Sequence, residues 1–240
     1  MQDHKERALI HQMAGDPEVR DLARRLFIKS CDYRYSYHFT WLGRPIIQYP
    51  QDLVALQEVI WSVQPDLIVE TGIAHGGSTI FYASMLELLG QDGHVVGIDI
   101  EIRPHNRAAL DQHPLRRRLT LIEGSSVDES IANQVREIAT SRQRTMVILD
   151  SFHTHDHVLR ELELYSPLVS KGSYVVVLDT VIEDMPAGYF RDRPWDRGNS
   201  PRTAVEAFLR SNDRFTVDTE IDEKLLISVA PGGYLRCVKD

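Results

Sequence analysis

LIVETGIAHGGSTIFYASMLELLG, residues 67–90, decides how the rest of the chain is read. Its first residues are apolar and continuous, as in a strand covered on both faces. An acidic residue, Glu70, and three glycines, Gly72, Gly76 and Gly77, follow, and then apolar residues recur at helical spacing. Glycine lets the strand-to-helix turn adopt positive φ and brings the backbone close to a ligand, while the first amides of the helix favour an anionic group. The spacing is Gly-x-x-x-Gly-Gly. It is neither the Gly-x-Gly-x-x-Gly of dinucleotide binders nor a phosphate-cradling Walker loop.

Outward from this stretch the same alternation repeats. DLIVE (66–70), HVVGIDI (94–100), LTLIEG (119–124), TMVILD (145–150) and SYVVVLD (173–179) are short and rich in Val, Ile and Leu, with helical patterns between them. Such an order predicts right-handed crossovers and an α/β fold, a doubly wound, mostly parallel sheet. Glu70, Asp99, Glu123, Asp150 and Asp179 fall at successive strand ends. In an open parallel sheet that edge is where ligands gather. Asp99 stands where a carboxylate accepts hydrogen bonds from both hydroxyls of a ribose, which points to a nucleoside.

After Asp179 the sequence VIEDMPAGYFRDRPWDRGNSP is a polar loop, long enough to be a substrate lid. PRTAVEAFLRS reads as a helix capped by Ser200, and RFTVD with KLLISVAPGGYLRCV reads as strands with PGG as a turn. Residues 1–30 read as one or two amphipathic helices, followed by the aromatic, irregular SCDYRYSYHFTWLGRPIIQYP. The division expected is an N-terminal helical and aromatic extension over 1–55 and a catalytic domain over 56–240.

The chain has 240 residues, with 27 basic and 35 acidic side chains and a net charge of −8, which disfavours a nucleic-acid or anionic-membrane footprint and leaves a small molecule as the expected partner. Cys31 and Cys237 have no metal or disulfide spacing, and neither an export signal in MQDHKERALIHQMAGD nor a membrane span is seen. A cytoplasmic protein is expected.

ETGIAHGGS, VVGIDI, IEGSS, LDSFHTHDHVLRELELYSPLVSKGSYVVVLDT and NSPRTAVEAFL together resemble the cephalosporin hydroxylase family, whose relatives include rhamnosyl and other sugar O-methyltransferases. The resemblance runs from about Trp41 to the C-terminus. It implies a class I S-adenosylmethionine-dependent methyltransferase with a seven-stranded, Rossmann-like sheet. It further implies that Glu70, Thr71, Gly72 and the turn through His75, Gly76, Gly77 and Ser78 hold the amino-acid end of S-adenosylmethionine. Asp99 would hold the ribose, Ser125 and Ser126 would lie near the adenine, and Asp150 would border the cofactor. Asp150, Asp179 and, more weakly, Thr180 match the family's ligands for Mg2+. Leu178, where the family often has Glu, cannot ligate. A homo-oligomer is also implied.

A sugar hydroxyl is a poor nucleophile, so methyl transfer to it needs a general base, a metal, or both. Asp150 with Asp179 supplies the second, and His153, three residues after Asp150, supplies the first. His155 and His157 are either helix-start residues in solvent or partners of His153 in a non-haem metal hydroxylase, which would need two imidazoles and one carboxylate. A non-catalytic nucleoside or nucleotide-sugar binding protein on the same fold is the remaining alternative.

Overall fold

A computed structural model describes residues 4–240, so the first three residues of the N-terminal extension lie outside the described residues. Helices α1 (His4–Gly15) and α2 (Pro17–Cys31) lead into a hairpin of β1 (Phe39–Trp41) and β2 (Arg44–Ile46), and then into α3 (Pro50–Val63). Asp16 starts α2 by accepting the Glu18 and Val19 amides, with Pro17 in the first turn. The segment read as irregular therefore contains a short antiparallel pair. The boundary expected at 55/56 passes through the middle of α3.

The central unit alternates β3 (Leu67–Thr71), α4 (Gly77–Leu88), β4 (His94–Asp99), α5 (Pro104–Asp111), β5 (Leu119–Glu123), α6 (Glu129–Ala139), β6 (Thr145–Leu149), α7 (His155–Tyr165) and β7 (Tyr174–Val177). After the long loop come α8 (Pro201–Ser211), β8 (Phe215–Val217), α9 (Thr219–Lys224) and β9 (Tyr234–Cys237). The seven-stranded sheet runs β5-β4-β3-β6-β7-β9-β8. Its first five strands are parallel, and β9 pairs antiparallel with both β7 and β8. Strand order reverses beside β3, which opens the ligand crevice between the carboxyl ends of β3 and its neighbours β4 and β6.

Both faces of the sheet are covered. Ile68, Ile148 and Val176 join the core beneath α3 and α4, whereas Val69, Val147 and Val175 join a second core under α6, α7 and α8. The alternation follows the strand period of two. At α8, the Ser200 cap expected from the sequence is present and, with Thr203, forms a reciprocal capping box. Among the described residues no helix is long and apolar enough to cross a membrane.

The tail corrects one expectation, because KLLISVA is not a strand. β9 already pairs with the edge of β7, and the amides of the segment go elsewhere: Val229 N–H donates to Asp52 Oδ2 at 2.9 Å, and Ala230 N–H donates to Ser228 Oγ at 2.9 Å. Asp52, fully buried in α3, also accepts the Ser228 hydroxyl at 2.6 Å. Asp52→Ala is expected to lose about 1–3 kcal/mol in urea unfolding, since two donors are left without an acceptor. Burial pushes the Asp52 carboxyl up to about 7, above its unfolded range. Its contribution is therefore complete below about pH 4 and is lost as the pH rises through 7, so the gap between wild type and variant narrows over that window. An unchanged unfolding midpoint at pH 5 would contradict the assignment.

Candidate active site

The glycine turn is rigid because three elements grip it. Gly72 has φ +88°, and a Cβ there would lie 2.0 Å from the Asp150 carbonyl oxygen, so only glycine lets β3 pass the end of β6. Asp99 Oδ2, at the end of β4, accepts the Ile73 and Ala74 amides at 2.8 and 3.0 Å. Arg44 of β2 donates twice to the His75 carbonyl, at 3.0 and 2.5 Å, and once to Asn106 Oδ1 at 2.8 Å. Asn106 in turn donates to the Ala74 carbonyl at 2.9 Å. The first amides of α4 are thus held at the crevice, where they attract an anionic group.

Facing the turn are Asp150, His153 and Asp179, each partly buried, with potential ligand atoms within 4.8 Å of one another. His153 Nε2 lies 3.3 Å from Asp179 Oδ2. Asp179 adopts φ +55°, a left-handed backbone that costs energy outside glycine and is characteristic of functional turns. Burial, reinforced by the charges of Asp179 and Glu70, pushes the Asp150 carboxyl well above the usual carboxylate range. A cation between the two acids would relieve that repulsion, and the donor set fits one: two hard carboxylates suit Mg2+, with water and substrate oxygens completing its shell. Trp195, from the long loop, packs edge-on against His153 with ring centroids 4.8 Å apart and against Phe152 at 5.5 Å. The loop therefore covers the imidazole, as a lid would.

Gly72, His75, Gly77, Ser78, Asp150, His153 and Asp179 line a single cleft of about 520 Å³. Other predicted residues take different places. Glu70 and Thr71 are fully buried and do not line it. Glu70 accepts the Thr79 hydroxyl at 2.5 Å and holds α4 from below, and burial raises its carboxyl to about 7. Gly76 packs against Leu110. The Thr180 hydroxyl is buried and donates to the Pro231 carbonyl at 2.8 Å, while His153 lies with the two acids. Asp99 stands beside the turn, while Ser125 and Ser126 follow β5 outside this cleft.

The three imidazoles do not assemble. His155 Nδ1 is 2.8 Å from the Thr203 hydroxyl, and His157 Nε2 is 3.0 and 3.2 Å from Ser151 Oγ and Ser126 Oγ. Only His153 reaches Asp150 and Asp179, and His157 instead lies 3.5 Å from Glu161, so the two-histidine site of a non-haem hydroxylase is not formed among the described residues. Conversely, the sequence reading missed Gln48, which is buried and places Nε2 3.4 Å from Asp150 Oδ2. Arg34, Tyr37 and Tyr49 also line the cleft from the N-terminal segment, and Tyr189 and Phe190 line it from the loop. The aromatic density of both segments was the only signal for them.

The family model for rhamnosyl O-methyltransferase/CmcI matches residues 33–238. The chain belongs to this family. A rhamnosyl O-methyltransferase of Mycobacterium bovis (strain BCG / Pasteur 1173P2) is 32% identical over 202 residues, covering 82% of this chain and 77% of the relative. One from Mycobacterium leprae (strain TN) is 29% identical over 199 residues, covering 82% of each chain. Family membership makes the chain an O-methyltransferase. Its fold is that of the solved structures of CmcI, with TM-score 0.61 for the apo form at 20% identity over 85% of this chain and 78% of that one. An O-methyltransferase from Bacillus cereus in complex with SAH shares the architecture, with TM-score 0.54, 15% identity and 97% of each chain covered. The expected seven-stranded methyltransferase sheet is thus present.

Proposed function

We propose that this member of the family transfers the methyl group of S-adenosylmethionine to a hydroxyl of a sugar or glycoside. The observation that carries the reading is the placement of the Asp150–His153–Asp179 group opposite the glycine turn in one cleft. The mycobacterial relatives are named for a rhamnosyl acceptor, and CmcI has been solved with Mg and SAM.

In this reading the turn from Gly72 to Ser78 and the first amides of α4 hold the methionine carboxylate. Asp99, whose Oδ1 carries only a 3.2 Å bond from the Glu101 amide, keeps lone pairs for the ribose hydroxyls, and Ser125 and Ser126 lie toward the adenine. Asp150 and Asp179 would hold Mg2+, which when bound would supply Lewis acidity to lower the pKa of an acceptor hydroxyl. His153, oriented by Asp179 at Nε2 and by the edge of Trp195, would take the hydroxyl proton at its other ring nitrogen, Nδ1, as the acceptor oxygen is aligned with the methyl group. Gln48 steadies Asp150 from the N-terminal side. A small-molecule acceptor accords with the net charge of −8, and we take the working form to be a cytoplasmic homo-oligomer.

Calorimetric titration with S-adenosylmethionine, followed by methyl transfer to rhamnosides, tests the reading against a non-catalytic nucleoside binder. Asp99→Ala is expected to weaken the cofactor about 10–100-fold, the equivalent of hydrogen bonds to a charged group. Undiminished affinity in that variant would remove Asp99 from the ribose.

A further inference from the structure

The 520 Å³ cleft must take the reacting sugar beside the methionine end of the cofactor, so the remainder of a larger acceptor has to leave it. A second cavity, of about 1020 Å³, lies between α2 and the segments around 181–202 and 222–232. Phe27, Val181 and Met185 line both cavities, so the two form one continuous surface. We propose that this groove is a second acceptor subsite, built to take the phosphate groups of a glycosyl phosphate or nucleoside diphosphate sugar. The inference rests on the methyl-transfer reading of the neighbouring cleft.

The charges along the groove support it. Every carboxylate on its lining is already engaged. Asp21 pairs with Arg25 at 2.9 Å, Asp184 with Arg202 at 2.8 Å and Glu223 with His11 at 3.3 Å. Glu183 accepts the Ser200 hydroxyl at 2.7 Å and the Gly198 amide at 2.9 Å, and Asp222 accepts the Gly232 amide at 2.8 Å. By contrast, Arg20, Arg24 and Arg197 line the same groove with no carboxylate partner among the described residues. The Nε of Arg202 is also buried there without a partner.

Arg20 and Arg24 are one helical turn apart and therefore project from one face of α2. Phe27, three residues further, carries that face to the catalytic cleft. Glu183 and Asp222 keep their charge when they accept hydrogen bonds, so the attraction for an anion is confined to the α2 face, where Arg20 and Arg24 lie together without a carboxylate partner and Asp21 is paired with Arg25. Planar guanidinium forks match phosphate oxygens in paired hydrogen bonds, whereas a neutral aglycone would leave them unused.

The test uses the full chain saturated with S-adenosylhomocysteine, titrated calorimetrically at low ionic strength with thymidine diphosphate rhamnose and with methyl rhamnoside. The nucleotide sugar is expected to bind at least about tenfold more tightly, the equivalent of one or more charge-assisted hydrogen bonds. R20E/R24E is expected to abolish that advantage while S-adenosylhomocysteine affinity stays unchanged, and added salt to reduce it in the wild type. Equal affinities, undetectable binding of the nucleotide sugar, or an advantage that survives in R20E/R24E would overturn the proposal. Failure to bind S-adenosylhomocysteine in the first step would instead overturn the methyl-transfer reading itself.

Discussion

Asp150→Asn is expected to lower kcat for methyl transfer by about 10²–10⁴-fold while leaving the thermal midpoint unchanged or slightly higher. The two readouts diverge for a physical reason. Asp150 and Asp179 carry like charges in a partly buried site, and the Asp150 carboxyl is pushed upward by burial and by its neighbour. A neutral amide of the same shape removes that repulsion from the folded state, and with it the charge that would hold a cation and align the acceptor. The measurement is single-turnover methyl transfer at saturating Mg2+ beside calorimetric melting. Retention of wild-type turnover would show that the acid pair is structural. A fall in stability with a proportional fall in activity would show that Asn disrupts the site instead of disarming it.

Gly72→Ala is expected to be the most damaging small substitution in the crevice. Its Cβ would sit 2.0 Å from the Asp150 carbonyl oxygen and 2.6 Å from the carbonyl carbon, both backbone atoms that cannot swing aside, at a φ of +88°. Strain and overpacking together put the destabilisation at about 3–5 kcal/mol. Because the atoms struck belong to Asp150, which directly follows β6, cofactor binding should be lost as well. Gly188→Ala is the control: it has a similar φ of +74° and nothing within 4 Å of the added methyl. It should show only the backbone cost, about 1 kcal/mol. Equal urea midpoints for the two variants would mean that the turn can relax and that the close approach at Gly72 is unimportant.

The sheet and the turn were legible in the sequence because their determinants are local. Continuous Val, Ile and Leu runs specify strands covered on both faces, and Gly72, Gly76 and Gly77 mark the turn from strand to helix, a signal that gains its meaning from the strands around it. Asp150 and Asp179 were legible because both end such strands. The remainder depends on pairings far apart in the chain. Nothing in KLLISVA announces that Asp52, more than 170 residues earlier, will take the Val229 amide in place of a neighbouring strand. Nothing near Thr180 announces Pro231 as its partner. The HTHDH run suggested a shared histidine site, yet helix geometry sends His155 toward Thr203 and His157 toward Ser126. Gln48 was invisible as a site residue because its role exists only once the segment after the hairpin meets Asp150, which follows β6.

That hairpin and its aromatic flank have a consequence for how such an enzyme changes over time. In the proposed reading the methyl donor sits against the sheet and its crossovers, whereas the other walls of the cleft come from residues 27–49 and from the loop holding Tyr189 and Trp195. The two are written in separate stretches of the gene, joined by contacts that include Arg44 to the His75 carbonyl, Gln48 to Asp150 and Trp41 to Ser84. New acceptors can accordingly be acquired by drift in those peripheral stretches, with the transfer machinery inherited intact.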